Sequence, residues 1–486
     1  MGIKKALFSV FSLGLSACIP VSAMDLLETY KAAYKSSPII KYQYATYQAM
    51  NEDSNIALGG LLPNISLSAS ASATRFFDKD SDFYSLGTIE STTVGATLSQ
   101  SIFNYPLINI YRSAKQSAQA SYATYEYQVQ EFILNVAETY FSVILAEANV
   151  QVAKEQIKAT EATLKQTKAE LKVGTKTESD VKQIESSYYN AKATLVKNKN
   201  TLKSSYYDLA VLTGIQKIVP LDPIRDDMQA LRPSPSSIQQ WVDMAVQKNL
   251  SLQASKLDQV ASETAVEACK GKFFPTVSLS ASYTYLRSPF FQPGFSGGGS
   301  SSAGATAAII SDDVSASCLV DTSNEISAGS GGQAGIPLKG VNFSMASIGL
   351  TFTWSIFNGG TDYAALQQGA EDYVNARYTT LQNQRSIIQQ TEKDYLAVLT
   401  AISSIKAYRQ AKISSDIAYQ MMLEEYKVGT LTVNEVLQQM SITYQNAYNV
   451  VQAEYDYITT LLSLKLDAGT LSINDVEDVN RFLKHK

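Results

Sequence analysis

The chain has 486 residues, 40 Lys and Arg against 45 Asp and Glu, and a formal net charge of -5. This charge argues against a nucleic-acid partner, because few phosphate counterions would be released on binding. The single histidine, His485, lies one residue from the end, which excludes His-dependent triads and His-rich zinc sites. No set of residues supplies a base, a nucleophile and an orienting group. We therefore expect no enzyme activity, no cofactor and no metal centre.

Residues 1–23 have the pattern of an export signal peptide. Two lysines precede an apolar stretch, and small residues up to Ala23 form a peptidase cleavage site. A second interpretation competes, because the residues ending at Cys18 also fit a bacterial lipoprotein box in which that cysteine is acylated. We favour cleavage after Ala23, since an amphipathic helix begins at Asp25 and leaves almost no tether for a lipid. Both interpretations predict export.

The sequence is an internal duplicate. Val173-Gly174-Thr175 recurs as Val428-Gly429-Thr430 at an offset of 255 residues, and Ser101-Ile102-Phe103-Asn104 recurs as Ser355-Ile356-Phe357-Asn358. Collinear matches of this kind predict two structural repeats. The predicted segments are the repeats at 24–219 and 237–470, a Pro-rich connector at 220–236 and a C-terminal equatorial segment at 471–486.

Each repeat contains two predicted strands in which apolar and polar residues alternate. Ile65, Leu67 and Ala69 alternate with serines, as in a strand that is wet on one face. A slip of this phase between Met345 and Ile348 predicts a β-bulge in the last strand. The strands are predicted at about 62–77, 91–103, 275–287 and 341–357, with a Gly- and Ser-rich outer loop at 288–337.

A long helical hairpin follows each strand pair, at 106–213 and at 360–468. Apolar residues recur at spacings of three and four over several heptads, as in coiled coils. The expected break in each hairpin is the Val-Gly-Thr turn, at Gly174 and at Gly429. After the leader we find no run of about twenty apolar residues, so none of these helices is expected to span a bilayer.

Four alternating strands in an exported chain indicate the bacterial outer membrane, which strands of about ten residues can span. Four strands cannot close a barrel, because the smallest closed membrane barrels have about 8 and an open edge in lipid leaves backbone groups unpaired. The strands must therefore be pooled from at least two or three copies, and three copies would give twelve. We expect Ser and Thr to line a water-filled lumen.

Aromatic residues lie near the predicted strand ends, where membrane barrels carry an aromatic girdle. The girdle candidates are Phe76, Phe77, Phe273, Phe274 and Trp354. A competing interpretation makes these aromatics the core of a soluble β-sandwich. The export leader and the long helices favour the membrane interpretation.

Three motifs occur in a fixed order: Leu62-Pro63-Asn64-Ile65, Ser355-Ile356-Phe357-Asn358-Gly359-Gly360 and Tyr426-Lys427-Val428-Gly429-Thr430. In this order, over nearly all of 24–482, the chain resembles the TolC-like outer membrane efflux and secretion channels. The resemblance implies an α+β membrane protein, with a homotrimer that shares a twelve-stranded β-barrel and a helical α-barrel that projects into the periplasm. It also implies export of small molecules or proteins, with a periplasmic adaptor (membrane fusion) protein and a proton-driven or ATP-driven inner-membrane pump as partners.

The resemblance also assigns a pore constriction to the hairpin tips, which close like an iris in that family. Glu435 takes the place of an acidic ring residue, and Gln438 stands where a second acid is common. Three copies of Glu435 around one pore would raise one another's pKa and favour cations. The alternative is that Glu435 is an ordinary solvated glutamate on a helix surface.

A lock between helical hairpins is the second role that the resemblance implies at the tips. Asp180 and Tyr426 match positions whose side chains join neighbouring hairpins in the closed state. Leu431 replaces the arginine expected in that lock. The closed state is therefore expected to depend on Lys176 or on packing instead.

A trimeric coiled-coil structural or adhesive surface protein is the alternative to a channel; it would explain the heptads but not four duplicated strands. Cys269 and Cys318 are expected to be unpaired, because the strand between them separates them by about 40 Å at 3.3 Å per residue.

Overall fold

The computed structural model describes residues 24–74, 89–215, 219–225, 228–288 and 341–484. The predicted signal peptide with Cys18, the girdle candidates Phe76 and Phe77, and the predicted Gly- and Ser-rich loop lie outside the described residues. The helices are α1 (Leu26–Ser36), α2 (Pro38–Gly59), α3 (Tyr105–Lys172), α4 (Glu178–Thr213), α5 (Ile238–Lys248), α6 (Leu250–Gly271), α7 (Thr361–Lys427), α8 (Val433–Asp467) and α9 (Ile473–Asn480). The strands are β1 (Asn64–Thr74), β2 (Ile89–Phe103), β3 (Thr276–Ser288) and β4 (Val341–Thr353).

Two very long helices, α3 and α7, run along the length of the protomer. α3 has 68 residues and α7 has 67, so each is about 100 Å long at 1.5 Å per residue. The side chain of Asn104 caps the start of α3 by accepting a hydrogen bond from the Leu107 amide at 3.0 Å. One window of α3, with a mean hydropathy of 1.2, is apolar enough to cross a membrane, contrary to our expectation. More than half of that window is buried inside the protein, since these residues build the core of the protomer.

The helices lie side by side in a row. In the half near the strands, α2 packs against α3, α3 against α6, and α6 against α7. In the half near the hairpin tips, α4 packs against α3, α3 against α8, and α8 against α7. In both halves α7 therefore occupies one end of the row, and the other end is α2 or α4.

The four strands form one antiparallel sheet in the order β1-β2-β3-β4. The pairing of β3 with β4 runs without interruption from Thr276↔Thr353 to Ser288↔Val341, so the bulge predicted near Met345 is wrong for this pairing. The irregularity lies instead in β2, between Ser101 and Phe103. β4 also ends at Thr353, before the predicted end at 357.

The main hydrophobic core surrounds the middle of the long helices. Tyr140 and Phe141 of α3 and Tyr457 of α8 are fully or almost fully buried there. The Tyr140 hydroxyl lies 3.1 Å from the Met24 carbonyl oxygen, and the Tyr457 hydroxyl donates to the Leu231 carbonyl oxygen at 3.0 Å. These bonds fix the start of the described chain and the connector between repeats onto the helices.

A pair of carboxyl groups lies beside this core, between α7 and the end of α8. Asp394 is buried, and the Gln390 side chain donates a hydrogen bond to it at 2.9 Å. The side chains of Asp394 and Asp467 interact electrostatically, and burial raises the pKa of Asp394. Burial, and then the Asp394 charge, raise the pKa of Asp467 to about 8.

This carboxyl pair predicts a pH-dependent stability. Because the folded pKa of Asp467 lies above its unfolded value of about 3.9, its stabilising contribution is complete below about pH 4 and is lost as the pH rises towards 8. Asp467→Asn cannot ionise, so we expect thermal unfolding in detergent to show a smaller loss of Tm between pH 5 and pH 8.5 than in the wild type. The difference in this loss should correspond to about 4 kcal/mol, at about 1.4 kcal/mol for each pH unit between pH 5 and the folded pKa of about 8. Asp208→Asn, at an exposed position of α4, is the control. Identical pH profiles for the wild type and Asp467→Asn would contradict the raised pKa of Asp467.

The expectation of an unpaired Cys269 is wrong. Cys269 lies buried in α6 and is disulfide-bonded. The chain has three cysteines, and both possible partners, Cys18 and Cys318, lie outside the described residues. Only the distance to Cys318 entered this expectation, because Cys18 was expected to be removed with the predicted signal peptide.

Candidate functional site

The sheet has one polar face, formed by rows of Ser and Thr that cross all four strands. Ser66 and Thr97 form a hydrogen bond at 2.6 Å, Thr97 is the register partner of Ser282, and Ser282 is hydrogen-bonded to Ser347 at 2.8 Å. The alternation in sequence predicts this face, because successive side chains of a strand point to opposite sides. Met345 lies on the same side, since the regular register places it opposite Thr284.

The other face is apolar and uncovered in the protomer. One row joins Ile65, Leu98, Ala281 and Ile348 in register across the sheet. Leu67 is 81% exposed and Ile348 is 78% exposed, values that an isolated water-soluble sheet would avoid. Lipid is the environment in which such a face is stable, so this sheet has the form of part of a membrane barrel.

The sheet ends in two open edges. β1 pairs only with β2, and β4 pairs only with β3, among the described residues. Each edge therefore presents a row of unpaired backbone N–H and C=O groups. In hydrocarbon such groups are costly, so the edges need partners from outside the protomer.

The described aromatic candidates lie at the end of the sheet that meets the helices. Phe273 and Phe274 precede β3, and Trp354 follows β4; all three are exposed. The Trp354 indole donates a hydrogen bond to the Phe273 carbonyl oxygen at 3.1 Å. The Phe274 ring packs on Tyr105, with the centroids 5.3 Å apart. An amphipathic group of this kind fits an aromatic belt at a membrane boundary.

At the opposite end of the molecule, the two hairpins turn with the same geometry. Gly174 and Gly429 have φ values of 79° and 84°, in the left-handed region that favours glycine. The next residue, Thr175 or Thr430, donates from both its amide and its hydroxyl to the carbonyl oxygen of Glu170 or Glu425. The internal duplication thus reproduces the tip turn in full.

The helix that follows each turn begins with a capping box. The Asp180 carboxylate accepts from the amide and the hydroxyl of Thr177, both at 2.9 Å. The Glu435 carboxylate accepts from the same two groups of Thr432, both at 2.8 Å. Asp180 and Glu435 are therefore equivalent positions of the two repeats, although the sequence analysis gave them different roles. The sequence signal was the Thr-x-x-Asp and Thr-x-x-Glu spacing.

Glu435 and Gln438 are exposed on the same face of α8, one helical turn apart. The backbone amide of Thr432, and then its hydroxyl, donate to the Glu435 carboxylate and lower its pKa within the protomer. Repulsion between copies of Glu435 would act in the opposite direction. The carboxylate is therefore available as a fixed negative charge at neutral pH.

Tyr426 is the central residue of the contact between the two hairpin tips. It is 1% exposed at the end of α7, and burial raises its pKa. Its hydroxyl forms a hydrogen bond with the hydroxyl of Thr167 on α3 at 2.9 Å. The Lys176 ammonium, from the other hairpin turn, lies 3.8 Å from the Tyr426 ring centroid and donates to the Tyr426 carbonyl oxygen at 3.4 Å. Lys176 therefore contacts Tyr426, whereas Asp180 is engaged by its own capping box.

Thr167 was not among the predicted site residues. It belongs to a row of buried threonines on α3, with Thr160 and Thr163, at helical spacings of three and four. A hydroxyl among apolar heptad positions gave a weak signal, because its partner lies on another helix. The tip contact also includes a separate hydrophobic cluster, with Leu164, Ile184, Val433 and Met440 among its members.

These features define a membrane channel protein, and comparison with known families agrees. The chain belongs to the outer membrane efflux protein family, whose model matches residues 29–215 and 320–470. It is therefore a protein of the bacterial outer membrane and a channel rather than an enzyme.

The relatives span nearly the whole chain. The chain is 25% identical to the outer membrane protein TolC of Escherichia coli, covering 99% of this chain and 90% of TolC. It is 26% identical to TolC of Vibrio cholerae, covering 96% of this chain and 95% of that protein. The solved structure of CusC superimposes with a TM-score of 0.73 at 16% identity, covering 92% of this chain and 93% of CusC, which shows the shared fold.

Proposed function

We propose that three copies of the chain form one export channel, gated at the periplasmic tips of the helical hairpins. The observation that carries this proposal is the four-stranded sheet with one Ser/Thr face, one exposed apolar face and two open edges. Three such sheets joined β4 to β1 give twelve antiparallel strands with no open edge. The Ser/Thr face then lines a water-filled lumen, and the apolar face contacts lipid.

The helix row supports the same assembly. Its end helices in the tip half, α4 and α7, carry large exposed apolar side chains opposite the faces that they bury within the protomer. On α4 these are Tyr189, Val196, Tyr207 and Val211, and on α7 they are Ile413, Ile417 and Met421. At about 100° per residue each set forms a stripe along one side of its helix. We infer that α7 of one copy packs against α4 of the next, which extends the row into a closed α-barrel.

The hairpin tips are the proposed gate. Contact between Lys176 and Tyr426 holds the two hairpins of a protomer together, and Thr167 adds a buried hydrogen bond. Exposed Glu435 and Gln438 form the constriction where three copies converge. A periplasmic adaptor and an inner-membrane pump, proton-driven or ATP-driven, would supply the cargo, which includes small molecules or proteins. The wide polar lumen selects by size and charge.

The selectivity of the pore tests this function. We expect Glu435→Gln to lower the preference for cations, measured as a smaller reversal potential across a KCl gradient in planar bilayers, because a ring of three negative charges is removed. Asp180→Asn is the matched control, since it removes the equivalent capping carboxylate from the other repeat. An unchanged reversal potential in Glu435→Gln would remove this residue from the pore. A protein that inserts but conducts no ions would reject the channel itself.

A further inference from the structure

A stripe of lysines runs along the tip half of α3. Its members recur at spacings of three, four and seven, so they share one side of the helix, within about 40° of its centre line at 100° per residue. The lysine stripe consists of Lys154, Lys158, Lys165, Lys168 and Lys172, all exposed. It is about 27 Å long at 1.5 Å per residue and ends beside the turn at Gly174.

Most of this positive charge is uncompensated. Lys168 lies 3.6 Å from the Glu185 carboxylate of α4, and it is the one member of the stripe that has a carboxylate within 4.0 Å in the described part of the chain. Glu185 is shared with Lys182 at 3.0 Å. Three glutamates lie between Lys154 and Lys172 in sequence, and of these only Glu161 is on the side of the helix that carries the lysines. Five lysines therefore face two carboxylates.

The second hairpin does not repeat this row of lysines. At the offset of 255, the counterparts of Lys158, Lys165 and Lys168 on α7 are Ile413, Gln420 and Leu423. The two basic counterparts on α7 are neutralised within the protomer: Arg409 pairs with Glu454 at 2.5 Å and Lys427 with Glu424 at 2.7 Å. The unpaired charge is therefore a property of the first hairpin alone.

A second copy of the chain is not the partner of this stripe. α3 is flanked by α4 on one side and α8 on the other, so it lies inside the helix row rather than at its ends. The contacts that we infer between copies use α4 and α7 instead. The stripe thus remains accessible in the assembled channel.

We propose that the lysine stripe docks an acidic α-helix of a periplasmic partner, with carboxylates at matching spacings of three and four. Its straight course, its length of several helical turns and its position at the tips fit a helix laid alongside α3 better than a compact anion. Opposite charges on both surfaces speed association and fix the register of the two helices. This inference rests on the proposed function, and it specifies the chemistry of the adaptor surface that the channel recognises.

The test uses full-length protein in detergent and a fluorescent helical peptide with glutamates at spacings of three and four along one side. We expect the glutamate peptide to bind the protein about tenfold more tightly than the same peptide with glutamines in place of the glutamates. Its binding should weaken as the salt concentration rises. Lys158→Glu with Lys165→Glu should abolish this difference. Lys197→Glu with Lys199→Glu makes the same charge change at exposed positions of α4 and should retain it.

Equal binding of the two peptides, or an equal loss of glutamate-peptide binding in both double variants, would overturn the docking proposal. So would a voltage-dependent block of conductance by the glutamate peptide that disappears in Lys158→Glu with Lys165→Glu, the α3 double variant. The last result would place the stripe inside the lumen. Conductance of the α3 double variant should otherwise equal that of the wild type. If the wild type does not conduct ions, the channel proposal is rejected. Peptide binding is measured separately, so the docking proposal is then still tested by its own result.

Discussion

Tyr426→Phe combined with Lys176→Met is expected to open the hairpin tips and to raise single-channel conductance several-fold. The first change removes the 2.9 Å hydrogen bond to Thr167, and the second removes the ammonium 3.8 Å from the ring. Each contact contributes about 1 kcal/mol, so their joint loss of about 2 kcal/mol shifts the closed-to-open ratio of a protomer about thirtyfold. Both new side chains are apolar and similar in size, and Thr167 keeps its bond to the Thr163 carbonyl oxygen.

Planar-bilayer conductance and uptake of vancomycin by cells measure this opening. Lys427→Met is the control, because Lys427 is next to Tyr426 in sequence but pairs with Glu424. Tyr426→Phe with Asp180→Ala provides a comparison, since the family resemblance places Asp180 in the lock whereas here it caps α4. Wild-type conductance in the Lys176 double variant would reject Lys176 as part of the lock. Larger opening in the Asp180 double variant would restore the arrangement that the resemblance implies.

Ile417→Asp combined with Met421→Asp is expected to abolish the trimer. Both side chains are exposed in the protomer and lie on the side of α7 that we place against the next copy. Burying unpaired carboxylates at three seams costs several kcal/mol per charge, which exceeds what side-chain rearrangement can recover. We expect protomers instead of trimers in detergent, measured by native mass spectrometry, and no channel activity.

Ile442→Asp with Gln445→Asp is the matched control for the contact between α7 of one copy and α4 of the next. It introduces the same two carboxylates on exposed positions of α8, which lies inside the helix row. This variant should remain trimeric and conduct ions. If Ile417→Asp with Met421→Asp still forms trimers, or if both double variants lose them, α7 does not form the contact between copies.

The sequence predicted the strand faces well because alternation is a local property. Each residue of β1 and β3 lies on the face that its position in the period predicts. The bulge was predicted because the apolar side chain of Met345 breaks the alternation of this strand. The backbone hydrogen bonds between β3 and β4 fix a regular register without a bulge. This register places Met345 opposite Thr284, on the polar face of the sheet. The backbone hydrogen bonds of a whole strand outweigh the preference of one side chain.

The tip contact was harder to predict, for a different reason. Gly174, Gly429 and the capping boxes follow from short sequence patterns, so local chemistry was enough. The pairing of Tyr426 with Thr167 joins residues 259 positions apart. It depends on the relative placement of α3 and α7, which heptad spacing alone does not give. Lys176 was named only as a replacement for the arginine missing at position 431, and its contact with the Tyr426 ring emerged from the structure.

Native mass spectrometry of the detergent-extracted wild-type protein tests the central claim most directly. Because β1 and β4 each have one unpaired edge among the residues that the structure describes, we predict a single species of three protomers that releases monomers only on denaturation. A stable monomer that stays in solution after the detergent is removed would contradict the account.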